Sequence, residues 1–274
     1  IDLQARVAVV QAGVTLNALQ EAARTHGLEP GIDLAARGSA TIGGMISTNA
    51  GGIMAFRNGV MRHRVLGLEV VLPDGQVFSD LTRVVKTRAG YDLKHLFIGA
   101  EGTLGIVTRA VIKLDPLTGA GATALVGLND ATSAQRVIRH FLAQGGTGLR
   151  AAEIMWCSYA LTTSRVLGFT SEQLPLEAPC LLALELAADT FEQASAALES
   201  GLAAIWDEAQ IIDGLVASSM QQAERIWRVR EDTEILYRLH PRAPSFDVSV
   251  PASAIDEYVA RIQADLKAID PAFE

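Results

Sequence analysis

Two glycine-rich segments hold the residue types best suited to cradling a ligand. The first, Ala40-Thr-Ile-Gly-Gly-Met-Ile-Ser-Thr-Asn-Ala-Gly-Gly52, carries Gly43, Gly44, Gly51 and Gly52, with Ser47, Thr48 and Asn49 as small polar groups. With few large side chains, its backbone N–H groups are uncovered, and main chain can approach a bulky, flat or phosphorylated ligand closely. The same composition also suits a tight loop packed on its own domain. The second, Gly99-Ala-Glu-Gly-Thr-Leu-Gly105, repeats glycine at every third position around a single acid, Glu101. Glu101 could accept hydrogen bonds from a ribose or support neighbouring amides, or simply tie down its turn. Other nucleotide and hydrolase signatures are missing: no P-loop, no GxGxxG after a strand, no GxSxG elbow and no HExxH. His26, His63, His95, His140 and His240 are isolated from one another, so no metal-ligand spacing is present.

Hydrophobic periodicity places these segments between regular elements. Arg6 to Gln11 is predicted as a strand, and Thr15 can cap a helix running to about His26. Periodicity fades from Gly38 to Gly59. Val65 to Leu72 is a strand, Pro73-Asp74-Gly75 a turn, and Gln76 to Ser79 the hairpin return. A short helix over Leu93 to Phe97 precedes the second glycine cluster, and a strand over Ile106 to Leu114 follows it. Beyond Asp115-Pro116 the small residues around Gly119 and Gly121 mark a domain boundary. Strands are then predicted at Ala122 to Leu128, Ala152 to Trp156, Cys180 to Leu186, Ala209 to Ile212 and Ser245 to Val250. Helices are predicted at Ala131 to Ala143, Phe191 to Trp206, Met220 to Leu239 and Ala252 to Ala268. That β-α-β, β-α-β order suggests an internally duplicated ferredoxin-like sheet with helices on one face.

Composition excludes several partners. With 31 acidic against 23 basic residues the net charge is −8, which disfavours a nucleic-acid backbone. The densest basic stretch, Arg57 to Arg64, has only three arginines and one histidine. The longest apolar run, Pro179 to Ala188, is interrupted by Glu185 and is too short to span a bilayer. Cys157 and Cys180 fit neither a CxxC nor a zinc spacing, so a reducing, cytoplasmic location is expected, with peripheral membrane attachment open.

In order along the chain, ATIGGMISTNAGG, VLGLEVVLPDGQV and AGYDLKHLFIGAEGTLGIVTRAVIKL resemble the FAD-binding domain of FAD-linked 2-hydroxyacid dehydrogenases. This group includes the glycolate oxidase flavin subunit, D-lactate dehydrogenase and D-2-hydroxyglutarate dehydrogenase, within the vanillyl-alcohol oxidase superfamily. The resemblance is near-continuous from Val7 to Leu114. It implies an α+β protein: residues 1–116 as the second part of a PCMH-type FAD-binding domain, and residues 117–274 as a ferredoxin-like antiparallel-sheet cap, or substrate, domain. It also implies that Gly43, Gly44, Thr48, Asn49, Gly51 and Gly52 line the FAD pyrophosphate and nearby flavin, and that Glu101, Gly102 and Ile106 contact the cofactor from the second segment. The implied reaction is hydride transfer from the α-carbon of a small 2-hydroxy acid to the flavin.

Gln222-Ala-Glu-Arg-Ile-Trp-Arg-Val-Arg-Glu231 resembles the family segment in which an arginine follows a tryptophan by three residues. Arg230 matches the arginine that holds the substrate carboxylate in relatives. Trp227 and Arg230 share a helical face, and a planar guanidinium suits bidentate carboxylate capture. The alternative is a solvated helix with Arg230 paired to Glu224, Glu231 or Glu234. Where some hydroxyglutarate-type relatives carry a lysine, this sequence has Ser245, which weakens the case for a second, distal substrate carboxylate.

Two family segments have no counterpart here, the phosphate-cradling PxGGxTG-type loop and the HGxxGDGNxH motif that supplies a divalent metal site and the general base. The chain by itself is therefore expected to lack a complete FAD site, a metal and turnover. Two rivals stand beside the 2-hydroxyacid reading: another flavoprotein class with the same FAD fold, and a flavin-free fragment serving as a binding module. The electron acceptor is left open.

Overall fold

The computed structural model describes residues 1–143, 148–170, 173–174 and 177–271. They form two compact units, Ile1–Thr118 and Gly119–Glu274.

In the first unit the elements run β1 (Val7–Gln11), α1 (Leu16–Arg24), β2 (Leu28–Glu29), α2 (Ile42–Ser47), α3 (Ala55–Asn58), β3 (Val65–Val71), β4 (Val77–Asp80), α4 (Lys94–Phe97), β5 (Ile106–Lys113) and β6 (Asp115–Pro116). Four strands form an antiparallel sheet in the order β1-β5-β3-β4, with Val9 opposite Val111 and Leu68 opposite Ala110. Alternation sends Ala8, Leu68, Val70, Ala110 and Ile112 to one face, where Leu16, Leu19 and Ala23 of α1 and Ile42, Met45 and Ile46 of α2 cover them. Fully burying each large aliphatic side chain contributes about 1.5–3 kcal/mol, so this face is what locks α2 in place. Helix α1 begins at Thr15, whose hydroxyl accepts from the Ala18 amide, as its sequence predicts.

The connections around β2 converge on Arg64, which is only 3% exposed. Its Nε donates to Pro30 O at 2.9 Å, and its Nη2 donates to Lys113 O at 3.3 Å and to Asp115 Oδ2 at 2.6 Å. Burial works to raise the Asp115 carboxyl, but hydrogen bonds from Arg64 and Lys113 outweigh it and hold the group below the usual carboxylate range.

The second unit runs β7 (Ala120–Leu128), α5 (Ala131–Ala143), β8 (Gly148–Trp156), α6 (Cys157–Leu167), β9 (Cys180–Ala188), α7 (Phe191–Ile205), β10 (Asp213–Val216), α8 (Met220–Glu231), α9 (Glu234–Leu239) and α10 (Ile255–Ile269). Its antiparallel sheet has the order β10-β7-β9-β8, the fourth, first, third and second strands, which is the ferredoxin-like arrangement expected. Ala122, Ala124, Val126, Leu182, Leu184 and Leu186 face α5 and α7. Gly201 lets α7 close on Phe141 of α5, since a Cβ there would sit 2.4 Å from the ring.

The expectation of helices on one face is corrected. Leu125, Met155, Leu181 and Ala183 on the opposite face are buried under Ala160 of α6 and Ile226 and Val229 of α8. Double coverage explains why β9 reads as an almost unbroken apolar run. Helix α6 escaped the sequence reading because it follows β8 directly, with no side-chain cap hydrogen bond at Trp156. The strand expected at Ala209 to Ile212 lies instead at Asp213–Val216. Ala209 N donates to Ile205 O and Ile211 N to Trp206 O, so these residues close α7, with Gln210 at φ +53°. The single helix expected over Met220 to Leu239 breaks at Asp232 (φ −80°, ψ 60°). Ser245 to Val250 pairs with no strand among the described residues, and Phe246 is 80% exposed.

Asp115→Asn should destabilise the first unit by about 2–3 kcal/mol, because the buried Arg64 charge keeps its carbonyl acceptors but loses its carboxylate partner. Since the Asp115 pKa is lowered on folding, this stabilisation is present above the unfolded carboxylate pKa of about 4 and is lost as pH falls through the folded value. Denaturant melts at neutral and acid pH check both, the mutant losing less than the parent on acidification.

Candidate functional site

The first glycine-rich segment is not a bare loop. Residues 42–47 form α2, with Thr41 as its cap and its hydroxyl accepting from Gly44 N at 3.2 Å. Ile42, Gly43, Met45 and Ile46 turn inward, leaving Gly44 on the outside, with Ser47 half-buried. Helical spacing was hidden because two of the six positions are glycine, which lowers propensity and breaks the apolar count. Packing overrides it: Ile42 N and Gly43 N each donate 2.8 Å bonds, to Val14 O and Ala12 O. A Cβ on Gly43 would lie 2.7 Å from that of Ala12, so only glycine admits this approach.

The second segment leaves α4 and docks on the end of α2 through main chain. Gly99 N donates to Ile46 O at 3.0 Å and Glu101 N to Ser47 O at 2.9 Å. Two non-glycine residues with left-handed backbone, Asn49 (φ +53°) and Glu101 (φ +49°), lie on either side of this junction. Such conformations cost of order 1 kcal/mol or more and persist only where neighbours over-determine them. Arg62 does so here. Its amide donates to Asn49 Oδ1 at 3.0 Å, its Nη1 to His95 O at 2.9 Å and its Nη2 to Ile98 O.

Where the ends of β1 and β5 meet α2, a cleft of about 340 Å³ is lined by Ala12, Gly13, Thr41, Gly43, Gly44, Ser47, Gly105, Ile106 and Val107. No lining residue is acidic and none is larger than isoleucine, so a flat or anionic ligand would meet backbone, hydroxyls and small apolar groups. A Cβ on Gly13 would meet nothing within 4 Å, and one on Gly44 only the Thr41 hydroxyl. These features fit the pyrophosphate and ribityl part of a dinucleotide.

Of the residues singled out in the sequence, Gly43, Gly44 and Ile106 line this cleft, and Ile106 is 64% exposed. Glu101 and Gly102 sit on the docked turn. Thr48 donates its hydroxyl to Gly44 O at 3.1 Å, and Asn49 is engaged by Arg62. A Cβ on Gly51 would press on Ala55 and Val60, and one on Gly52 on Asp33 O. Gly51 thus serves the packing of its own loop, and Gly52 admits the close approach of the chain at Asp33 before α2. Sequence reasoning missed Ala12, Gly13 and Arg62. A glycine between a strand end and a capped helix was the available signal for Gly13, whereas nothing local marked Arg62.

In the second unit, α8 starts at Ser219, whose hydroxyl accepts from Gln222 N at 3.2 Å, and is anchored by Ile226 and Val229. Trp227 Nε1 donates to the buried Thr123 Oγ1 at 3.1 Å. One turn on, the Nε and Nη2 of Arg230 approach Glu153 Oε2 on β8 at 2.8 and 2.7 Å. The Tyr159 hydroxyl donates to Arg230 O at 2.9 Å, and burial raises its pKa, keeping it protonated as a donor. Nearby on the sheet, Arg150 and Glu185 pair at 3.2 Å. The partner of Arg230 is therefore a strand glutamate 77 residues away, which no pattern on its own helix indicated. Ser245 lies in an exposed, irregular segment. Among the described residues no group of three or more His, Cys, Asp or Glu side chains could hold a metal ion, and no helix is long and apolar enough to cross a membrane.

Comparison with known proteins matches residues 1–80 to the FAD binding domain family and residues 119–271 to the C-terminal domain of FAD linked oxidases. The D-2-hydroxyglutarate dehydrogenase of Xanthomonas citri pv. viticola is 37% identical over 98% of this chain and 56% of its own length. The mitochondrial D-2-hydroxyglutarate dehydrogenase of Bos taurus is 34% identical over 95% of this chain and 47% of its own. A D-lactate dehydrogenase of Archaeoglobus fulgidus is 47% identical, over 42% of this chain and 26% of its own. The chain thus spans about half the length of the curated full-chain relatives it matches. A solved alkyldihydroxyacetonephosphate synthase superposes with a TM-score of 0.68 at 17% identity, covering 98% of this chain and 54% of that one, a likeness of fold alone. With more than half of its residues matched by one family model and an FAD-binding match preceding it, this chain belongs to the FAD-linked oxidases.

Proposed function

We propose that this chain forms part of an FAD-dependent dehydrogenase of small 2-hydroxy acids, of the D-lactate, glycolate or D-2-hydroxyglutarate class. The observation that carries the reading is the glycine-lined cleft, which lies in the unit matched to FAD-binding domains. Gly43, Gly44 and Ile106 would hold the cofactor from the cleft, with Thr48, Asn49, Gly51, Gly52, Glu101 and Gly102 assigned to the segments around it. Two-electron oxidation at an α-hydroxy carbon is the chemistry that FAD supplies when bound. The remaining tasks fall to the protein. The cleft backbone takes the cofactor's phosphates and its ribityl chain. Arg230 takes the substrate carboxylate, which fixes the α-carbon instead of leaving it to tumble. The names of the relatives support the substrate class.

Gly13→Val places a side chain in the open cleft without touching the core. In the complete enzyme of which this chain forms part, it should leave the circular dichroism and melting temperature near the parent values while the flavin content falls several-fold. Unchanged flavin stoichiometry in visible absorption would remove the cleft from the cofactor site. In the flavin-loaded protein, Arg230→Ala should lower kcat/KM for reduction by a 2-hydroxy acid on the order of 100-fold, the scale of losing a charge-paired contact. In the complete enzyme of which this chain forms part, rates of flavin bleaching with D-lactate, glycolate and D-2-hydroxyglutarate rank the three substrates, and no bleaching by any of them would overturn the reading.

A further inference from the structure

We propose that Glu153 is the positioning residue for Arg230, presenting one edge of its guanidinium to the carboxylate of the 2-hydroxy acid. This rests on the assignment of Arg230 to substrate. The contact geometry is specific. A single oxygen, Oε2, engages both Nε at 2.8 Å and Nη2 at 2.7 Å. A guanidinium carries five N–H donors in a planar fork. Glu153 uses the side edge of that fork. The Nη1 hydrogens and the remaining Nη2 hydrogen belong to the other edges, and the Nη1/Nη2 end receives a carboxylate bidentately.

Other contacts make the platform rigid. Glu153 stands on β8, which is paired along its length with the buried strand β9. The Arg230 carbonyl accepts from the Tyr159 hydroxyl, and α8 is pinned one turn earlier by Trp227 on Thr123. Backbone and guanidinium are therefore held independently. The Arg230 side chain is 33% exposed, so without Glu153 its long stem would sample several rotamers and lose that freedom on binding.

Charge and positioning make opposite predictions, which allows a clean test. The Arg230–Glu153 pair is neutral overall. If charge alone mattered, removing Glu153 would strengthen attraction for a carboxylate and lower KM. Positioning requires KM to rise. In the flavin-loaded protein, Glu153→Ala should raise KM for the 2-hydroxy acid about tenfold with a much smaller change in kcat, the scale of a misplaced binding group. Glu153→Gln, which keeps an acceptor oxygen, should recover most of that loss. In the Arg230→Ala background Glu153→Ala should add little, because the two act as one unit.

A fall in KM for Glu153→Ala, or equal effects of Ala and Gln, would overturn the proposal. If Glu153→Ala fails to fold, Glu153→Asp keeps the charge but withdraws the oxygen by one methylene. Its KM should also rise, and a parental KM would overturn the proposal. An unchanged KM for Arg230→Ala would overturn the substrate assignment itself. A raised KM for Arg230→Ala with a parental one for Glu153→Ala would overturn the positioning role alone.

Discussion

Two main-chain hydrogen bonds, Gly99 N to Ile46 O and Glu101 N to Ser47 O, join glycine-rich segments that lie about fifty residues apart in sequence. The candidate cofactor site depends on this junction. Main-chain bonding demands close approach, and close approach demands small residues and turns into the left-handed region at Asn49 and Glu101. The hydrophobic face beneath supplies the anchorage. Ile42, Met45 and Ile46 bury α2 against the sheet, so its outer side can be built of glycine, serine and threonine without the segment losing its place. Stability and ligand access are divided between two sides of one short helix.

Arginines perform three distinct tasks in the molecule, separated by burial and partners. Arg64 is buried and tied to Asp115 and two carbonyls, so it acts as an internal fastener for the chain around β2. Arg62 is spent on the carbonyls of His95 and Ile98, at the entry to the second segment, and on Asn49, ordering the junction above. Arg230 is half-exposed and shares one oxygen of a strand carboxylate, which leaves donors for another acceptor. An exposed pair such as Arg261 with Asp265 at 3.9 Å contributes little by comparison. Residue type alone does not separate these roles. The surroundings do.

The ferredoxin-like sheet of the second unit was legible because its strands and two of its helices follow each other in a regular alternation, and because α5 and α7 carry clear apolar stripes. Helix α6 was not, since it begins without a capping side chain directly after a strand. The shift of the fourth strand to Asp213–Val216 had a similar cause. Ala209 and Ile211 look like strand residues, but their apolar side chains belong to the core under α7 and their amides close that helix. Short apolar runs carry no period of their own, and tertiary packing decides which element takes them.

By itself the sequence determined most elements of the first unit, the alternation of β7 to β9 with α5 and α7, the family and the two glycine-rich segments, because periodicity, turn residues and motif spacing are local properties. It also marked Gly43, Gly44 and Ile106, which line one cleft. Only the tertiary structure decided that Gly51 meets its own loop and Gly52 the chain at Asp33, that Ala12 and Gly13 join the cleft wall, and that Arg62 clamps the junction. It likewise decided that Arg230 answers to Glu153, 77 residues away on a strand. The physical reason is the same in each case. A hydrogen bond or ion pair between residues tens of positions apart leaves no periodic trace in the chain, and exists only once sheet register and helix packing have brought the partners within about 3 Å.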